Sequence, residues 1–166
     1  VITAMVTPFN EKREVDFDAL EKLVRHLVIS GSDAILVAGT TCASPTLTHE
    51  EEYEILYQVK STVQGARKVI MGAGSNSTRT AVDTSKKAVE LGADAILSVV
   101  PYYNKPNQQG IIEHFSAIAK AVDIPIIMYN IPGRTGVNMT PQTAAFLAKE
   151  FPNIVALKQS FPDMDI

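Results

Sequence analysis

Gly31-Ser32-Asp33-Ala34-Ile35-Leu36 returns as Gly92-Ala93-Asp94-Ala95-Ile96-Leu97. Each copy follows an amphipathic stretch, stops it with glycine and enters a short apolar run. Glycine ends helices because it adopts a left-handed conformation without steric penalty. Ala-Ile-Leu reads as a strand with both faces buried. The two copies lie two helix–strand units apart, so the motif points to a repeating β/α chain.

Working outward, the strand candidates are Ile2-Val6, Ala34-Val37, Val69-Met71, Ala95-Val100, Ile124-Tyr129 and Ile154-Leu157. The helical patterns between them have recognisable ends. Phe17, Leu20, Val24, Leu27 and Val28 share one face, after Asp16 as N-cap and before Gly31. Thr48-His49-Glu50-Glu51 is a capping box, and Glu50-Glu51-Glu52 complements the helix dipole. A third helix starts near Thr78 and stops at Gly92, a fourth presents Ile111, Phe115, Ile118 and Val122, and a fifth opens on Thr140 and Pro141.

Units of about 30 residues are the rhythm of a TIM (β/α)8 barrel, which needs about 250 residues for eight units. The fold class expected is therefore α/β, a barrel truncated after strand 6, with residues 1–166 as one partial domain. Strands 7 and 8 and a C-terminal helical segment are expected to be missing, and this stretch expressed alone is expected to be poorly soluble or inactive. An open doubly wound sheet is the alternative. Its dinucleotide fingerprint is only half present in Gly72-Ala73-Gly74-Ser75-Asn76-Ser77, which lacks the third glycine.

Composition narrows the function. The 166 residues are 46% hydrophobic and 20% charged, with a net charge of −3 and one cysteine. That balance argues against a nucleic-acid surface and excludes an internal disulfide. No apolar run approaches the roughly 20 residues of a membrane span. A basic, apolar leader is not legible, and the chain starts at Val1 in mid-strand pattern. The expectation is a cytoplasmic protein with no nucleic-acid or membrane partner.

Barrel chemistry gathers just past the carboxyl ends of the strands. Those positions carry Thr7-Pro8, Gly39-Thr40-Thr41, Gly72 to Asn76, Pro101-Tyr102-Tyr103-Asn104, Tyr129 to Gly136, and Lys158. A lysine there can attack a ketone once neutral, because burial lowers an amine's pKa. Paired hydroxyls can hold a carboxylate, a tyrosine can relay protons, and an arginine can grip a second carboxylate in bidentate fashion. Those parts suit a Schiff-base aldolase acting on a 2-oxo acid. Singly, each has an ordinary reading: tyrosines at the core edge, Thr40 and Thr41 as β-formers, Arg134 as a solvated loop charge. Cys42 reads as a small buried residue, and His26 and His114 as structural or solvent-facing.

Taken in order, the motifs Ala4-Met5-Val6-Thr7-Pro8, Gly39-Thr40-Thr41, Gly72-Ala73-Gly74-Ser75-Asn76, Pro101 to Pro106, Tyr129 to Gly136 and Leu157-Lys158 resemble the dihydrodipicolinate synthase family. That family is one of the pyruvate-dependent class I aldolases, a group that includes N-acetylneuraminate lyase. The resemblance implies that Lys158 forms an imine with pyruvate and that Thr40 and Thr41 bind its carboxylate. Tyr129 is implied as general acid and base, in a relay with Thr40 and with Tyr103 reaching a neighbouring subunit. Arg134 would bind L-aspartate 4-semialdehyde. Ser44, His49, Asn76 and Tyr102 match an effector site for lysine. No metal or organic cofactor is implied, and the full protein is expected to be a homotetramer. Another pyruvate-dependent aldolase, or an inactive paralogue or fragment, is the alternative. The family pattern has glycine and glutamate where this chain has Cys42 and Ala43, and glutamate where it has Gln159. A positive φ at position 42 would strain the cysteine.

Overall fold

A computed structural model describes residues 1–161. The chain divides into two compact units, Val1–Gly72 with Glu90–Asp94, and Ala73–Val89 with Ala95 onward.

The first unit holds strands β1 (Ile2–Ala4), β2 (Ala34–Val37) and β3 (Lys68–Gly72) with helices α1 (Phe17–Ile29) and α2 (His49–Val63). β1 pairs β2 and β2 pairs β3, both parallel, with Ile35 opposite Thr3 and Val69. All four residues of β2 are buried, as expected of a central parallel strand. Helix α1 starts where Asp16 accepts the Ala19 N–H at 2.9 Å, and it buries Leu20 and Val24. Helix α2 starts on the complete capping box of Thr48 and Glu51. The repeated glycine–aspartate motif works as read. Gly31 and Gly92 have φ of +90° and +79°, and the N–H groups of Asp33 and Asp94 bond Val1 O and Val69 O. Asp94 also binds Lys60 at 2.8 Å, Lys68 at 3.0 Å and the Val69 N–H at 2.9 Å.

The second unit holds α3 (Thr78–Glu90, whose last residue belongs to the first unit), β4 (Ala95–Val99), α4 (Gln108–Ala121), β5 (Ile126–Asn130), α5 (Pro132–Thr135), α6 (Pro141–Glu150) and β6 (Ile154–Gln159). β4 pairs β5 and β5 pairs β6, again parallel and in chain order. Asn107 and Thr140 cap α4 and α6, with Pro141 in the first turn of α6. Gly74 is required for packing, since a Cβ there would lie 2.4 Å from the Val99 nitrogen.

Several strand boundaries differ from the sequence reading: β3 is longer by one residue at each end, β4 stops at Val99 rather than Val100, and β5 runs on to Asn130 rather than Tyr129. β1 ends at Ala4 rather than Val6, although the Met5 N–H still bonds Leu36 O at 3.2 Å. β5 starts at Ile126 rather than Ile124, because Pro125 offers no N–H to the ladder. β6 runs through Gln159, so Lys158 lies within the paired strand rather than beyond it.

His114 is buried rather than solvent-facing. Its Nδ1 pairs with the Thr78 hydroxyl at 2.9 Å, and Nε2 has no hydrogen-bond partner among the described residues. Burial lowers its pKa from 6.5 to about 4. Between those values the unfolded chain binds the proton and the folded chain does not, so stability rises with pH across that window. The penalty is absent above the unfolded pKa and complete below the folded one, at roughly 3 kcal/mol. Urea unfolding from pH 4 to 7 is expected to show this slope, and His114→Leu to flatten it. An equal slope in the variant would assign the effect to other groups.

Candidate active site

In the second unit, the register of β5 and β6 sets Tyr129 opposite Lys158. The Lys158 amine sits over the Tyr129 ring, 4.1 Å from its centroid. Tyr129 is buried and Lys158 half-buried. An ammonium over an aromatic face is attracted by the ring's electron density. The amine is thereby aimed by its strand partner.

Beyond β5 the chain turns through α5, which carries Arg134 on an exposed surface. The Thr135 hydroxyl donates within the turn to Ile131 O at 3.1 Å and Val137 O at 2.8 Å, and Gly136 closes it at φ +73°. A short helix at this position was not legible beforehand. Its Pro-Gly start reads as an ordinary turn, and the stop at Gly136 could have signalled it. After β4, Tyr102 and Tyr103 are both exposed, Tyr103 at 88% and with φ +71°. Asn104 donates from Nδ2 to Asn76 O at 3.0 Å, which joins the segment after β4 to the one after β3.

In the first unit, Thr40 and Thr41 occupy a 3-10 turn, Thr40–Cys42, that follows β2. Both are exposed, while Cys42 is buried behind them. The Cys42 thiol donates to Met5 O at 2.9 Å, and the Thr7 hydroxyl donates to Cys42 O at 2.8 Å. These bonds pin the turn to the end of β1. Burial raises the thiol pKa, which suits a structural rather than a nucleophilic cysteine. The strain expected at Cys42 falls instead on Ala43, at φ +56°, so the left-handed position is one residue further on.

Ser44 and His49 meet at Glu52. Ser44 Oγ donates to Glu52 Oε1 at 2.5 Å, and His49 Nδ1 lies 3.1 Å from Oε2. The carboxylate is buried, and burial raises its pKa against the opposing pull of Ser44 and His49. Sequence reading placed Glu52 among the residues that complement the helix dipole, without its bonds to Ser44 and His49. Among the described residues no group of three or more His, Cys, Asp or Glu could hold a metal ion, and no helix is long and apolar enough to cross a membrane.

Together the fold and this geometry define a β/α protein whose adjacent strand ends pair a lysine amine with a tyrosine ring. The chain belongs to the Dihydrodipicolinate synthetase family, whose model matches residues 1–166. It is 55% identical over 166 residues to the 4-hydroxy-tetrahydrodipicolinate synthase of Thermosynechococcus vestitus, covering 99% of this chain and 56% of that protein. The synthase of Methanocaldococcus jannaschii is 46% identical over 164 residues, again with 99% and 56% covered. Among solved structures, the enzyme of Cyanidioschyzon merolae with lysine bound superposes with a TM-score of 0.97 at 56% identity, over 99% of this chain and 56% of that one. The Aquifex aeolicus enzyme superposes at 0.96 and 52% identity, with the same coverage. The fold class is therefore α/β, a β/α barrel of which the described residues carry six strands. The chain spans about half the length of the curated relatives it matches.

Proposed function

We propose that the protein to which this chain belongs condenses pyruvate with L-aspartate 4-semialdehyde to 4-hydroxy-tetrahydrodipicolinate. The observation that carries this reading is the Lys158 amine held 4.1 Å above the Tyr129 ring on paired strands, in a chain of this family. The neutral Lys158 amine attacks the pyruvate ketone and expels water as the imine forms. Tyr129, through its phenol, donates and accepts the protons that this exchange and the later enamine require. The enamine carbon then attacks the aldehyde. Thr40 and Thr41 are the proposed carboxylate ligands of pyruvate, and Tyr103 with Thr40 the remainder of the proton relay. Arg134 is the proposed ligand for the second substrate's carboxylate, where a planar guanidinium offers two parallel donors.

No metal or organic cofactor enters this chemistry. Lysine is the proposed effector at Ser44, His49, Asn76 and Tyr102, with the buried Glu52 bonded to the first two. A cytoplasmic homotetramer is the proposed form.

The full-length protein carrying this sequence is expected to consume aspartate semialdehyde in the presence of pyruvate, and not to cleave N-acetylneuraminate. Arg134→Ala is expected to raise KM for the semialdehyde by about 10- to 100-fold, the loss of a charge-assisted bidentate contact. Imine formation with pyruvate alone should remain. An Arg134→Ala protein with unchanged KM would remove Arg134 from the site. Sialic-acid cleavage by the parent protein would overturn the substrate assignment.

A further inference from the structure

Asn130 follows Tyr129 and is 1% exposed, yet the proposed chemistry does not use it. Its Oδ1 accepts the Met139 N–H at 3.1 Å, which fixes the orientation of the amide. The NH2 end then faces three oxygens: Asn138 Oδ1 at 2.7 Å, Gln159 Oε1 at 3.0 Å and Met139 O at 3.4 Å. Two hydrogens serve three acceptors, so the group is fully committed. The Asn130 carbonyl also accepts the Ser160 N–H at 2.9 Å. One residue thus joins the end of β5, the end of β6 and the segment that follows Arg134.

The network continues through a second amide. Gln108 Nε2 donates to Asn138 O at 2.8 Å, while its Oε1 accepts from the Thr140 N–H at 3.0 Å and the Thr143 hydroxyl at 2.7 Å. None of these side chains ionises in the working pH range, so the geometry holds while Lys158 and Tyr129 exchange protons.

Strand periodicity links this network to the amine. Asn130 is registered with Gln159, and Tyr129 with Lys158. Successive residues leave opposite faces of a strand. The amine–ring pair therefore lies on one face and the amide pair on the other, one step along the same ladder. A bond on the second face fixes the spacing and twist that aim the amine on the first.

We propose that Asn130 and Gln159 are a positioning pair for the Lys158 amine. This rests on the reading of Lys158 as the imine-forming residue.

The test uses the full-length protein and measures borohydride-trapped pyruvate adduct against pH, with kcat, KM for pyruvate and Tm. Gln159→Leu, which has no acceptor, is expected to lower kcat and the rate of imine formation together by about tenfold, as misplacement of a reacting group does. Its KM for pyruvate and its Tm should change little. Gln159→Glu keeps an oxygen for Asn130 and should recover most of that loss. Asn130→Ala should lose at least as much as Gln159→Leu; if it does not fold, the two Gln159 variants decide. Parent protein that traps no adduct defeats the Lys158 reading itself. A normal adduct in the parent, with Gln159→Leu at the parent rate or slowed only in proportion to its unfolded fraction, overturns the positioning role.

Discussion

Lys158→Ala is expected to abolish the proposed condensation, lowering kcat by at least about 1,000-fold, because no other group supplies the covalent electron sink. In the parent, pyruvate followed by borohydride should reduce the imine to a stable secondary amine on Lys158, visible as a mass increase on the peptide that contains it. In the variant that adduct should vanish, while Tm should stay within a few degrees. The amine rests on the Tyr129 ring. Retention of substantial activity in Lys158→Ala, or trapping on a different lysine, would overturn the assignment. Tyr129→Phe keeps the ring under the amine and removes only the phenol, so it should slow proton transfer without displacing Lys158.

Gly72→Ala carries the largest expected structural effect. A Cβ at this position would lie 2.1 Å from the Ala38 oxygen and 2.7 Å from its carbonyl carbon. Both are backbone atoms, so no side-chain rotation relieves the clash. Ala38 is already left-handed, at φ +52°, and leads through Gly39 into the turn bearing Thr40 and Thr41. Forcing the two segments apart should destabilise the fold by roughly 3 kcal/mol, or lower Tm by roughly 10 °C. It should also weaken pyruvate binding, because the hydroxyl-bearing turn moves with Ala38. Gly133→Ala is the control: nothing lies within 4 Å of a Cβ there, and no left-handed φ is needed. Its Tm should remain near that of the parent. Equal melting of the two variants would show that the close approach at Gly72 is not a constraint.

The legible part of this molecule was local. Asp16, Thr48 and Thr140 act as the caps their residue types suggest, because a short side-chain oxygen at those positions satisfies free N–H groups of the first turn. Ile111, Phe115, Ile118 and Val122 are all buried, as their spacing implies. The strand-end chemistry was legible in kind: a lysine, tyrosines and an arginine stand at or just past the ends of parallel strands. Less legible were features that depend on a distant partner. His114 left a structural and a solvent-facing reading open and Glu52 read as complementing a helix dipole, yet both are buried. Each has a hydrogen-bond partner on a separate element, Thr78 for one and Ser44 for the other. The left-handed position weighed for Cys42 is taken by Ala43.

By itself the sequence determined the alternation of the six strands with the five long helices, the starts of most of those helices, and the residue types available for chemistry. Those follow from caps, glycines and hydrophobic period, which act within a few residues. Tertiary structure alone decided the register that lays Lys158 over Tyr129 and, one step along, joins Asn130 to Gln159. Register is a relation between strands far apart in the chain. It is settled by where Pro125 ends the ladder, by the irregularity at Ile126 and Ile127, and by buried amides that must find partners.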